Sequence, residues 1–124
     1  MPVGHRLDPA TRLVLISYAD PVSVKDWTDA LLTVTADPAF EPGFNFLVDR
    51  RNASTPTRDF ADAVATFVRK HRAKFGNAKV AILVSDIAAF GMARMQEMLN
   101  EAAELETRAF RSEQDAREWL GLVP

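Results

Sequence analysis

KVAILVS, Lys79–Ser85, is apolar at every position from Val80 to Val84. An alternating pattern would mark a strand with one wet face. A continuous apolar run of this length, rich in β-branched residues, marks a strand covered on both faces. Such strands belong to α/β domains, in which helices pack on a mainly parallel sheet.

The flanks of this run repeat the theme. Upstream, Phe44–Asp49 (FNFLVD) reads as a strand entered through the Pro42-Gly43 turn, and Arg12–Tyr18 (RLVLISY) as another, apolar on both faces. Val3–Asp8 reads as a short first strand, joined to Arg12–Tyr18 by the turn residues Pro9-Ala10-Thr11, so these two are expected to form a hairpin. Thr107–Arg111 reads as a short last strand.

Helices fill the gaps. Ser23 is an N-cap with Asp26 three residues on, and Val22 with Trp27 has the spacing of a hydrophobic staple. Trp27, Leu31 and Val34 then share a face, and Asp37-Pro38 stops the helix. A second helix is expected from Pro56, capped by Thr55, to about Phe75, with Phe60, Val64, Phe67, Val68 and His71 inward and Gly76-Asn77 ending it. A third runs from about Ala88 to Leu105, with Met92, Met95, Leu99 and Ala102 at helical spacing; Met98 extends the methionine stripe, which reads as core packing. Ser112–Leu120 is a last helix, capped by Ser112 with Asp115 in the capping-box position and followed by Gly121. The order β-β-α-β-α-β-α-β-α implies a five-stranded, mixed, mostly parallel sheet whose first strand alone runs antiparallel.

Length and composition bound the function. The 124 residues suit one domain, 1–124, large enough to bury a core without disulfides or metal. A net charge of −2 supplies no global field for nucleic acid or an anionic membrane. The lack of cysteine removes thiol nucleophiles and thiolate metal sites. No spaced His or carboxylate set marks a metal site, and the glycines form neither a dinucleotide fingerprint nor a P-loop, so no cofactor is implied. The N-terminus lacks the apolar segment of a secretory signal, and the apolar runs are too short to span a bilayer; a cytoplasmic protein is expected.

In open α/β sheets ligands settle outside the carboxyl ends of the strands. The residues expected there are Ala19, Asp20 and Pro21; Asp49, Arg50, Arg51, Asn52, Ser54 and Thr55; and Ser85 and Asp86, with Phe90 and Gly91 near the next helix start. Arg50, Arg51 and Arg94 could bind a carboxylate or phosphate in forked fashion, although a local Asp49–Arg pair would account for part of the cluster. Ser54, Thr55 and Thr57 are candidate phosphoacceptors at a helix start, where capping also explains hydroxyls. Gly91, early in a helix, suggests close packing or close approach of a ligand. Asp20, Asp49 and Asp86 are the only strand-end acids, and no nucleophile stands beside a base, so no catalytic residue is assigned.

Together, FLVDRR (Phe46–Arg51), KVAILVS, Phe90-Gly91-Met92-Ala93-Arg94-Met95, Thr107-Arg108-Ala109-Phe110-Arg111 and Ala-x-x-Trp-Leu (Ala116–Leu120) resemble the SpoIIAA-like branch of the STAS domains, the STAS/SEC14-like group. The resemblance covers nearly the whole chain and implies a mixed sheet of about five strands wound as successive βα units. STAS relatives include anti-sigma-factor antagonists switched by phosphorylation of a serine in an Asp-Ser-Ser-Gly signature after the third strand. Here Ala53-Ser54-Thr55-Pro56-Thr57 stands in its place. The resemblance thus implies a regulatory or protein-interaction module without catalysis. Its SEC14-like side implies a lipid or other apolar ligand, and the strand-end polar set (Arg50, Arg51, Asn52, Ser85, Asp86, Gly91, Arg94) a small anion or lipid headgroup. A protein partner is compatible with either reading. So is a homodimer, since strands apolar on both faces need cover on both.

Overall fold

The apolar runs pair in chain order. β1 (Val3–Asp8), β2 (Leu13–Tyr18), β3 (Asn45–Asp49), β4 (Lys79–Leu83) and β5 (Glu106–Phe110) form one sheet in the order β1-β2-β3-β4-β5. The computed structural model that shows this describes residues 2–122. β1 is antiparallel to β2, with Val3 opposite Tyr18; the other pairs are parallel, with Leu13 opposite Asn45, Phe46 opposite Val80 and Lys79 opposite Glu106. The mixed, mostly parallel α/β sheet is as the sequence implied.

Successive right-handed crossovers that always step toward the same edge leave their helices on one face. Here α1 (Val24–Ala36), α2 (Arg58–Lys70) and α4 (Ile87–Ala102) cover the face made by Val14, Ile16, Phe46, Val48, Val80 and Ile82. α3 (Arg72–Phe75) is one turn between α2 and β4. Among the described residues the second face carries only α5 (Glu113–Trp119), whose Ala116, with Leu120, packs on Leu13, Leu47, Ala81 and Leu83. Because strand order never reverses, the sheet has no switch point and none of the crevice that diverging crossovers open in doubly wound folds. Among the described residues no helix is long and apolar enough to cross a membrane.

α1 keeps its expected start: the Ser23 hydroxyl accepts the Asp26 N–H at 3.0 Å and the Asp26 carboxylate accepts the Ser23 N–H at 3.2 Å. Trp27, Leu31 and Val34 are buried along it.

The other helices correct the expectation. α2 begins at Arg58 rather than Pro56, and Thr57, not Thr55, is its cap, accepting the Phe60 N–H at 3.2 Å. A residue before proline avoids the helical region, which holds Thr55 outside, whereas Thr57 is extended (φ −82°, ψ 165°) and can cap. The helix also stops early. His71 (φ −113°) breaks it, standing half-buried with its ring centroid 4.4 Å from that of Phe67, instead of continuing the inner face. α3 then closes on Gly76 at φ +58°, where a Cβ would come within 3.0 Å of the Gly43 nitrogen.

In α4 the buried stripe is Ala89, Ala93, Gln96 and Asn100. Met92, Met95 and Leu99 flank it half-buried, and Met98 is 69% exposed. The methionine stripe is the shoulder of the helix, not its core face. Small Ala89 and Ala93 let the backbone approach its neighbours instead. Gly91 is exposed, and a Cβ there would meet nothing within 4 Å, so the close packing expected of it is absent.

Candidate functional site

Side chains of consecutive residues leave a strand on opposite faces. β3 carries this rule past its end and separates the two arginines. Arg50 continues the Phe46–Val48 row and turns under the helix layer. Arg51 continues the Leu47–Asp49 row and turns toward α5. There the Asp49 carboxylate accepts from Arg51 Nε at 3.0 Å and Nη2 at 2.8 Å, while Nη2 also meets Glu113 at 3.2 Å. The fork of Arg51 is thus occupied, and its side-chain hydrogen bonds, joined by the Arg51 amide and charge, hold the Asp49 carboxyl below the usual range. Arg94 is elsewhere again: it lies on the exposed side of α4, 3.3 Å from Glu97 and over the Phe90 ring. The three cations of the expected anion site do not converge.

Arg50 is different. Its guanidinium carbon lies 4.9 Å from the Tyr18 ring centre and 5.7 Å from that of Phe60. Among the described residues no acceptor hydrogen-bonds this guanidinium and no carboxylate forms an ion pair with it. Desolvation pulls its pKa down from the ordinary arginine value, partly opposed by the Asp20 carboxylate. Burial likewise pushes the Tyr18 phenol well above its usual value, so it is a neutral hydroxyl.

Asp20, just after β2, would be the obvious partner, but it is spent. Its carboxylate accepts the Ser54 N–H at 2.9 and 3.0 Å and, through a very short bond, the Ser54 hydroxyl. Those bonds depress its pKa, the hydroxyl contributing most. The tether fixes the loop between β3 and α2, so that Asp20, Arg50, Ala53, Ser54, Thr57 and Phe60 line a mouth of about 160 Å³. α2 opens onto this mouth with its N-terminal amides, a favourable place for negative charge.

Behind the mouth lies a narrow slot of about 50 Å³ between the sheet and the helix layer. Its walls are apolar, with Tyr18, Trp27, Phe46 and Val64 among them, and Gln96 and Asn100 are polar exceptions. Arg50 and Phe60 line both spaces and form the partition between them.

Of the remaining expected residues, Asn52 is exposed, Ser85 makes one long bond to the Arg51 carbonyl (3.5 Å), and Asp86 caps α4, accepting the Ala89 N–H at 2.8 Å. Thr55 lines the mouth beside Ser54 and Thr57. Gln96 and Asn100 were not foreseen. Their spacing with Ala89 and Ala93 is the signal that could have found them, had the more hydrophobic methionines not claimed the inner face.

No family model and no curated protein matches the sequence. Among solved structures, the chain is similar to an uncharacterised protein of the DUF3478 family with a SpoIIAA-like fold, from Shewanella loihica PV-4. The TM-score is 0.63 at 17% identity, over 95% of this chain and 91% of that one. At that identity the likeness speaks to the backbone alone, and it agrees with the strand order and the helix layer described above: the chain has a SpoIIAA-like fold.

Proposed function

We propose that this domain is a non-catalytic binding module that takes the anionic group of a small molecule at the mouth over Arg50. The carrying observation is the guanidinium itself. A half-buried arginine has five N–H donors and a charge to satisfy. Here two aromatic rings face it, the nearest acid is engaged by Ser54, and the mouth beside it is floored by helix amides. A carboxylate or phosphate there would receive a forked pair from Arg50, of the charge-assisted kind that is stronger than a neutral bond. The absence of catalysis is supported by the commitments of the strand-end acids: Asp20 to Ser54, Asp49 to Arg51 and Asp86 to the start of α4.

Titration with acetate and with inorganic phosphate, followed by amide NMR, tests this reading. Shifts are expected at Tyr18, Ser54, Thr57 and Phe60. They should vanish in Arg50→Met and persist in Arg51→Ala. Equal binding by Arg50→Met and the unaltered protein would sink it.

A regulatory reading is favoured by one further contact, the Asp20–Ser54 hydrogen bond. Phosphorylation of Ser54 would replace that bond with like-charge repulsion and release the loop that frames the mouth. Intact-mass measurement of protein from its native cell should then show a phosphate at Ser54. A phosphate placed only on Thr57, the α2 cap, would contradict this version of the switch.

A further inference from the structure

The mouth over Arg50 has one charged wall of each sign. Among the described residues that line it, Arg50 carries the positive charge and Asp20 the negative one. Both Asp20 oxygens accept the Ser54 N–H, and one also takes the Ser54 hydroxyl. An ionised carboxylate only accepts, so toward an entering anion Asp20 offers repulsion and no hydrogen bond. The charges at the neighbouring helix starts add no cation. In α2, Arg58 is paired with Asp62 at 3.3 Å, and Asp59 in the first turn offsets part of the helix-end field. In α1, Lys25 is paired with Asp29 and Asp26 is bound to Ser23. A first negative charge can therefore settle on the Arg50 fork. A second finds no cation left, only the Asp20 carboxylate.

The rest of the wall is mainly apolar, made by Val22, Ala53, Pro56 and Phe60. Apolar cavities of ~150 Å³ take up benzene, so a mouth of about 160 Å³ accepts a body of that size and no long acyl tail. Resting on the Arg50 reading, we infer that the ligand of this module is a monoanionic carboxylate with a compact apolar body, and that Asp20 is the residue that turns dianions away. The acid group takes the Arg50 fork and the apolar body lies against Val22, Pro56 and Phe60. Phosphate monoesters and dicarboxylates bring a second charge that the mouth does not neutralise.

Benzoate and phenyl phosphate share one ring and differ in the acid group, which makes them a test pair. Phosphate monoesters lose their second proton near pH 6, so phenyl phosphate is mainly a monoanion at about pH 5 and a dianion at about pH 7.5, while benzoate is mainly a monoanion at both. Asp20, which titrates below its ordinary value, and Arg50 keep their charges over this range, and among the described residues no histidine lines the mouth. Titrated by amide NMR into the unaltered protein, benzoate should bind equally at the two pH values. Phenyl phosphate should bind roughly 3- to 10-fold more weakly at the higher one. Asp20→Asn keeps an oxygen for the Ser54 N–H without the charge, and should remove that pH effect while leaving benzoate binding in place. The comparison in the unaltered protein stands even where the variant folds poorly. Phenyl phosphate bound as tightly at about pH 7.5 as at about pH 5, or acetate bound while both ring acids are refused, would overturn the inference and leave the Arg50 reading in place. A pH effect that persists in folded Asp20→Asn would overturn the role given to Asp20. No response to benzoate, phenyl phosphate or acetate would overturn both readings.

Discussion

Arg50 and Arg51 are neighbours in the chain and belong to different halves of the molecule. One is held between Tyr18 and Phe60, the other is locked to Asp49 and Glu113. The same scale governs Asp20, whose pKa is held below its ordinary 3.8 by the Ser54 hydroxyl and amide. A depressed carboxylate contributes its tether in full above the ordinary value and loses it as pH falls through the lowered one. The Ser54 amide resonance should therefore stay constant from neutral pH to about pH 5 and move only in stronger acid, with a midpoint under 3.8. A midpoint at or above that value would show that the tether does not form. The polar cluster around Arg50 was visible in the sequence as a group. Its division was not, because β3 ends at Asp49 and no local motif marks that the strand's alternation continues through the two arginines.

Gly91 shows how an element can tolerate what a sequence reader finds suggestive. It sits in the first half of α4, exposed, with open space where a side chain would go. Gly91→Ala should stabilise the protein by about 0.5–1 kcal/mol through helix propensity, raising Tm by roughly 2–5 °C, and should leave anion binding at Arg50 unchanged. A drop in Tm, or a loss of binding, would give Gly91 the close contact that the geometry denies it. Strands and helix starts with a local physical cause were legible: the Ser23 box, the Ser112 cap, the continuous apolar run before Ser85. Less legible were choices set by tertiary contact. Hydrophobicity favoured Met92 and Met95 for the inner face of α4, but the space there suits Ala89 and Ala93, and the bonds to Ala61 and Thr107 need Gln96 and Asn100.

At the scale of the whole molecule, the helix layer and the lone α5 divide protection unequally. β3 and β4 are paired on both sides and covered by α1, α2 and α4 on one face, while β1 is an edge paired only with β2. Amide hydrogen exchange should be slowest at Phe46–Val48 and Val80–Ile82 and fastest, among the strands, in β1. Uniform exchange across the sheet would mean that it opens only as a unit. The order of strands could be expected from the alternation of strand and helix, since successive strands are usually neighbours. The absence of a crevice could not, because it depends on every crossover stepping the same way.

That uniform stepping has a consequence for how the chain is made. In a sheet whose order reverses, a central strand waits for a partner encoded far downstream. Here each strand finds its neighbour already synthesised: β2 folds back on β1, β3 on β2, β4 on β3, β5 on β4. A nascent chain leaving the ribosome can enlarge its sheet by one strand per βα unit, without inserting a strand between two that have already paired. The mouth over Arg50 is built from β2, β3 and the start of α2, so its residues have all emerged before β4 is translated.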